Sequence, residues 1–186
     1  MNAYAIALFL HITGAVGFFI VLGLEWIGLS QVRRANLPEE ARAILGTVRS
    51  SNRLGFISML TAVITGIYMM VTVWGTAAWI LVVLGSLLVE IVLFVAVTGP
   101  RMAAIGRALG AEKGPLSRGF HDLVNQPVVW MSVQTRMAIM LGIVFVKIAK
   151  PDLGGSLLSM GVAIVLGLAS ALPATRRAQA QAGPAD

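Results

Sequence analysis

The stretch from Ala5 to Leu29 limits this chain more than any other feature, since from Ala7 onward it reads ALFLHITGAVGFFIVLGLEWIGL. A helix crosses a bilayer with about 20 apolar residues at ~1.5 Å rise each, and this run is long enough. Two ionisable residues interrupt it, His11 and Glu25, fourteen positions apart. That spacing is close to four full turns, so the two share a face, with Gly14, Ala15, Phe18 and Leu22 on or beside it. The small residues Gly14 and Ala15 invite another helix to approach closely there. A polar stripe on a spanning helix looks at protein or water, because lipid leaves it unsatisfied.

Four further runs repeat the pattern: Leu54–Trp74, Ala78–Thr98, a span from Pro127 to about Ile148, and Leu157–Leu172. The expectation is an all-α integral membrane bundle of five transmembrane helices. Residues 1–175 form the helical domain and 176–186 a disordered cytoplasmic tail. Composition agrees, with 58% hydrophobic and 12% charged residues. Soluble domains carry roughly 45–50% and about 25%. The chain contains no cysteine, which excludes disulfides, thiolate metal sites and covalent haem attachment. The N-terminus lacks a basic leader region and reads as a span rather than a cleaved signal. The net charge of +6 does not point to nucleic acid, because no aromatic-interleaved basic surface accompanies it.

Between the runs, Pro38 followed by Glu39 and Glu40 opens a short helix with an apolar side (Ala43, Ile44, Leu45, Val48), expected to lie in the interface. Gly75-Thr76 makes a tight turn, Gly99-Pro100 interrupts the third run, and Arg101–Leu109 is a basic extension of it. Residues 110–126 read as a loop containing His121, and 147–156 as a turn. Lysines and arginines then set the orientation. Eleven fall in the first loop, the third loop and the tail, against two (Lys147, Lys150) opposite them, with Arg136 inside a span. The positive-inside rule puts the N-terminus outside and the C-terminus in the cytoplasm. Trp26 and Trp130 then fall near the inner interface, and Tyr4, Trp74 and Trp79 near the outer one.

Depth selects the candidate site residues. Glu90 lies ~18 Å and Arg136 ~16 Å from the outer boundary by helical rise, so the two are named as an intramembrane ion pair. The structural reading of that pair is a lock on helix register, and the functional one is proton or ion translocation through Glu90. Glu25, near the inner boundary beside Arg33, Arg34 and Arg53, is expected to form an interfacial ion pair or to snorkel its carboxylate to the boundary. His11 lies ~10 Å deep, where the second span presents Tyr68, Met69 and Met70. Imidazole and thioether suit haem b or copper(I), so His11, Met69 and Met70 are candidate cofactor ligands and His11 a candidate metal ligand. The alternative is a His11 imidazole bonded to Tyr68, a helix carbonyl or a water. Thr61, Thr65 and Tyr68 form a further polar stripe with Ser58 and Thr72, read as helix-packing glue. No phosphate-binding loop, zincin or nucleophile-elbow motif occurs.

The stretches LHITGAVGFF, TGPRMAAIGRAL and TRMAIMLGIVFVKIAKPDLGGSL resemble a group of uncharacterised bacterial integral membrane proteins, over most of the chain. Through His11, Gly14 and Ala15 the first span is also loosely similar to CopD-type copper-resistance membrane proteins and small membrane protoporphyrinogen oxidases. The resemblance implies a helical bundle in a bacterial plasma membrane, with haem or copper as candidate cofactors. The chain lacks the oxidases' second membrane histidine and lysine-rich segments, so their activity is not carried across. The expected function is a non-catalytic membrane subunit or scaffold, partnered by the lipid bilayer, a second copy or a larger complex. The alternatives are haem or copper handling at His11, or proton/ion translocation through Glu90.

Overall fold

In a computed structural model of the chain, residues 2–171 are described. The expected tail, 176–186, and the last residues of the expected helical domain, 172–175, lie outside them. Every element among the described residues is helical. The first, α1 (Ala3–Val32), starts where the Asn2 side chain accepts the Tyr4 N–H, covering one of the orphan donors of the first turn.

The next helix corrects an expectation. Pro38 does open a helix, with Glu39 and Glu40 in its first turn, but this helix is not a separate interfacial one. It runs unbroken as α2 (Pro38–Met69) and widens into a π segment, Met70–Trp74. No glycine-proline break separates residues 43–53 from the apolar run, so the two parts join into one rod. The rod closes at Gly75, whose φ of 62° is the left-handed backbone that glycine supplies without strain.

The third rod departs from expectation in the same direction. Gly99-Pro100 does not interrupt it: α3 (Ala78–Leu93), a π segment (Phe94–Thr98) and α4 (Gly99–Ala111) follow without a gap. A proline inside a helix lacks an N–H and crowds the carbonyl one turn back, and a wider π turn relieves both. Side chains bond carbonyls at and just before the widened stretch: the Thr98 hydroxyl donates to Leu93 O (3.4 Å) and Arg101 to Val97 O (3.2 Å).

The expected loop 110–126 holds a short helix, α5 (Arg118–Val124), capped by Ser117, whose hydroxyl accepts the Phe120 N–H. Then α6 (Pro127–Ala149) ends at Lys150, which takes a left-handed φ of 47°. The turn expected over 147–156 is much shorter than that. Asp152 caps α7 (Leu153–Ser170) by accepting the Gly155 N–H, so Lys147 belongs to α6 and the paired glycines to α7.

Five of these rods are long and apolar enough to cross a membrane: Ala3–Val32, Pro38–Trp74, Ala78–Ala111, Arg118–Ala149 and Leu153–Ser170. They pack as an antiparallel bundle, α1 against α2 most extensively and α6 against α7 next. Small residues set the closest approaches. A Cβ on Gly14 would come within 2.7 Å of Ser58 O on α2, and one on Gly167 within 2.6 Å of the Thr135 Cα on α6. One end of the bundle carries Gly75 and Lys150 and is called here the turn end. The other carries the arginines of α2 and α4 and is called the basic end.

Two apolar cores fill the bundle. Near the basic end Leu29, Val32, Ile105, Phe120, Val129 and Trp130 join α1, α4, α5 and α6. Trp130, placed by sequence at the inner interface, is 4% exposed and donates its indole N–H to Val124 O. In the middle, Phe18, Leu22, Val83, Ile139, Ile143 and Met160 join α1, α3, α6 and α7. The outward faces are apolar as well, with Phe9, Phe56, Leu88, Phe145 and Leu158 more than half exposed. A water-soluble monomer does not leave apolar surface so continuous.

Candidate functional site

The polar residues of α1 meet those of α6 at two levels, one on each side of the middle core. His11 and Glu25 share one face of α1. Arg136 and Lys147, eleven residues apart and thus close to three full turns, share one face of α6. Packing the two helices antiparallel sets Glu25 against Arg136 and His11 against Lys147.

At the level nearer the basic end, Arg136 is 3% exposed and sits between two carboxylates. Its Nε donates to Glu90 Oε1 at 2.8 Å, and its Nη1 donates to Glu25 Oε2 at 2.8 Å. The Phe94 ring, on the π segment one turn beyond Glu90, lies 4.9 Å from the guanidinium carbon and covers a face of it. Ser86, at i−4 from Glu90, donates back to Val82 O and adds nothing to the pair. Glu90 Oε2 is buried and has no hydrogen-bond partner among the described residues. Thr98 and Ser132 hydroxyls bond one another at 2.7 Å, a second polar tie between the third rod and α6.

This arrangement overturns one expectation about Glu25. It does not pair with Arg33, Arg34 or Arg53 at the boundary, because α1 extends to Val32 and keeps Glu25 inside the bundle, 6% exposed and facing Arg136. Arg33 instead stacks over the Trp130 ring at 5.3 Å.

At the other level the His11 Nδ1 lies 2.7 Å from Ala62 O, with the Thr65 hydroxyl at 3.5 Å. A carbonyl only accepts, so Nδ1 carries the proton and Nε2 is the acceptor. The amine facing Nε2 is Lys147 Nζ. Thr65 also donates to Thr61 O at 2.6 Å, so its hydroxyl serves the α2 backbone beside His11 and Thr61 takes part through its carbonyl. Of the partners weighed for His11, the helix carbonyl is the one present. Tyr68 is 41% exposed.

Haem or copper(I) at His11 does not fit this geometry. One ring nitrogen is committed to Ala62 and the other faces a cation, which is the wrong neighbour for a metal. Met69 is buried at the end of α2 and Met70 opens the π segment, but His11 has no free nitrogen to share with either.

Two residues of the site are not among the candidates that the sequence singles out. The sequence reads Lys147 as part of a turn, although its eleven-residue spacing from Arg136 marks a common face. Phe94 carries no sequence signal, being one apolar residue in an apolar run.

A cavity of about 700 Å³ opens at the basic end between α2 and α4. Arg42, Arg49 and Arg107 stand around it, and Glu25 and Phe94 line it from within the bundle. A second, wholly different groove of about 900 Å³ lies along α6 and α7 and is lined by residues such as Met137, Phe145, Leu158 and Leu166. Comparison with known proteins adds no relative: no family model, no curated protein and no solved structure matches the chain.

Proposed function

We propose that this chain is a multi-pass protein of a bacterial plasma membrane, N-terminus outside and C-terminus cytoplasmic, acting as a non-catalytic membrane subunit or scaffold. One observation carries the reading. The buried charges of the bundle close on one another, Arg136 on Glu25, Glu90 and the Phe94 ring, and His11 on Ala62 and Lys147. Each of these groups bonds a neighbouring helix, which is what fixing helix register requires, and one atom among them, Glu90 Oε2, is left without a partner among the described residues. The membrane placement is supported by the five apolar rods and their exposed apolar faces. The orientation is supported by the lysine and arginine asymmetry, and the bacterial setting by the sequence resemblance alone.

A second reading, proton or ion translocation through Glu90, is favoured by one feature: Glu90 Oε2 is buried without a partner, and the adjoining Glu25 lines a cavity open at the basic end. Against it stands the middle core, with Phe18, Leu22, Ile139 and Ile143 packed between the two polar levels. Reconstitution into liposomes with an entrapped pH-sensitive dye separates the readings. The subunit reading expects proton flux no greater than in empty vesicles under an imposed potential. Flux that disappears in Glu90→Gln would replace it with translocation.

A further inference from the structure

We infer that the cavity between α2 and α4 seats the headgroup of an anionic phospholipid, its phosphate held by Arg49 and Arg107. This rests on the membrane placement proposed above and not on how the buried polar residues are used. The cavity, about 700 Å³, is large enough for a headgroup and the adjoining glycerol. Arg49 and Arg107 reach it from α2 and α4, and neither has an acidic partner among the described residues. Arg42 is already committed: it donates to Glu112 O at 3.0 Å and Leu109 O at 3.4 Å, bracing the end of α4 against α2. Two unpaired guanidiniums facing one space fit a phosphate better than any other common group, because their planar forks match its oxygens.

Three features choose a lipid over a soluble anion. The first is level: the apolar run of α2 begins at Leu54, five residues or ~7.5 Å beyond Arg49, which sets the arginines where headgroups lie. The second is the lining, where Leu45, Met102 and Phe94 offer apolar surface that a free phosphate ester cannot use. The third is the Glu25 carboxylate on the inner side, which repels a multiply charged anion and confines negative charge to the arginine side. Space comes from small residues. Gly46 and Gly106 both line the cavity, and a Cβ built on either meets nothing within 4 Å.

The test uses the full chain, purified and delipidated in detergent, and reads retained lipid by native mass spectrometry. The probes are dioleoyl phosphatidylglycerol, dioleoyl phosphatidylcholine and soluble glycerol phosphate. The expected result is preferential retention of phosphatidylglycerol, reduced about tenfold or more in Arg49→Gln/Arg107→Gln, since each basic residue near an anionic headgroup contributes ~1 kcal/mol. Gly106→Trp fills the cavity without touching its charge and is expected to reduce retention equally. Gly46→Leu serves the same purpose should that variant not fold. Arg118→Gln removes an exposed arginine away from the cavity and is expected to change nothing. Equal loss in Arg118→Gln, or full retention in both filled-cavity variants, would reduce the effect to general surface charge and overturn the site. Glycerol phosphate binding as tightly as the lipid would assign the cavity to a soluble anion. A wild-type protein without preference for phosphatidylglycerol would overturn it outright.

Discussion

Arg136 makes two charge-assisted bonds at 2.8 Å, one to each of two buried acids, so the three residues respond unequally to substitution. Removing Arg136 leaves two carboxylates facing each other without a cation. Removing Glu90 leaves the Glu25–Arg136 pair intact. Breaking a buried ion pair from one side costs about 3–5 kcal/mol, much of it the stranded charge. Arg136→Gln is therefore expected to lower the unfolding temperature of the detergent-solubilised protein more than Glu90→Gln or Glu25→Gln does. The triple variant Glu25→Gln/Glu90→Gln/Arg136→Gln is expected to regain much of that loss. Strictly additive losses across the series would mean that the three do not act as a unit. Depth along the helices was legible in the sequence, and Glu90 and Arg136 fall at one level by counting alone. The third member was not legible, because Glu25 counts as near a boundary when α1 is taken to end at Leu29. Helix rotation decided the matter, and rotation is set by packing rather than by rise.

Glycine contacts control the helix pairs at the next scale up. Gly14 and Gly23 both lie on α1, yet a Cβ on Gly14 would sit 2.7 Å from Ser58 O and 2.9 Å from Ala62 N, while one on Gly23 meets nothing within 4 Å. Backbone atoms of α2 cannot swing aside as a side chain can. Gly14→Val is expected to force α1 off α2 and to destabilise by about 1–3 kcal/mol, the usual range for overpacking. Gly23→Ala is expected to be neutral or slightly stabilising, since glycine is a poor helix former. Thermal unfolding of both variants in one detergent checks the contrast, and equal behaviour would remove the close-approach argument. The five long apolar runs were readable at this scale because length and hydropathy survive without tertiary information. Their joins were not. Gly99-Pro100 reads as a break in any local account, and the bundle keeps the rod continuous by widening Phe94–Thr98 into a π turn.

Over the whole molecule, charge asymmetry and bundle geometry point the same way. The basic end gathers Arg42, Arg49, Arg101, Arg107 and Arg118, and the turn end keeps Lys150, stacked 3.8 Å over the Trp74 ring. With the proposed orientation, an alkaline phosphatase fused in the Thr76 turn is expected to be active in bacterial cells. The same reporter fused after Thr175 is expected to be silent, and the reverse pattern would invert the topology. The Glu25–Arg136–Glu90 cluster has a consequence for biogenesis. Arg136 alone at the centre of a nascent helix carries an insertion penalty of about 2.5–3.5 kcal/mol. With the proposed membrane placement, synthesis from the N-terminus makes α1 and α3 before α6, so both acids are already in the bilayer when the arginine leaves the ribosome. His11 likewise precedes Lys147. Each cation arrives after its partner, so the order of the helices along the chain doubles as an assembly schedule in which no late helix enters the lipid with its charge unanswered.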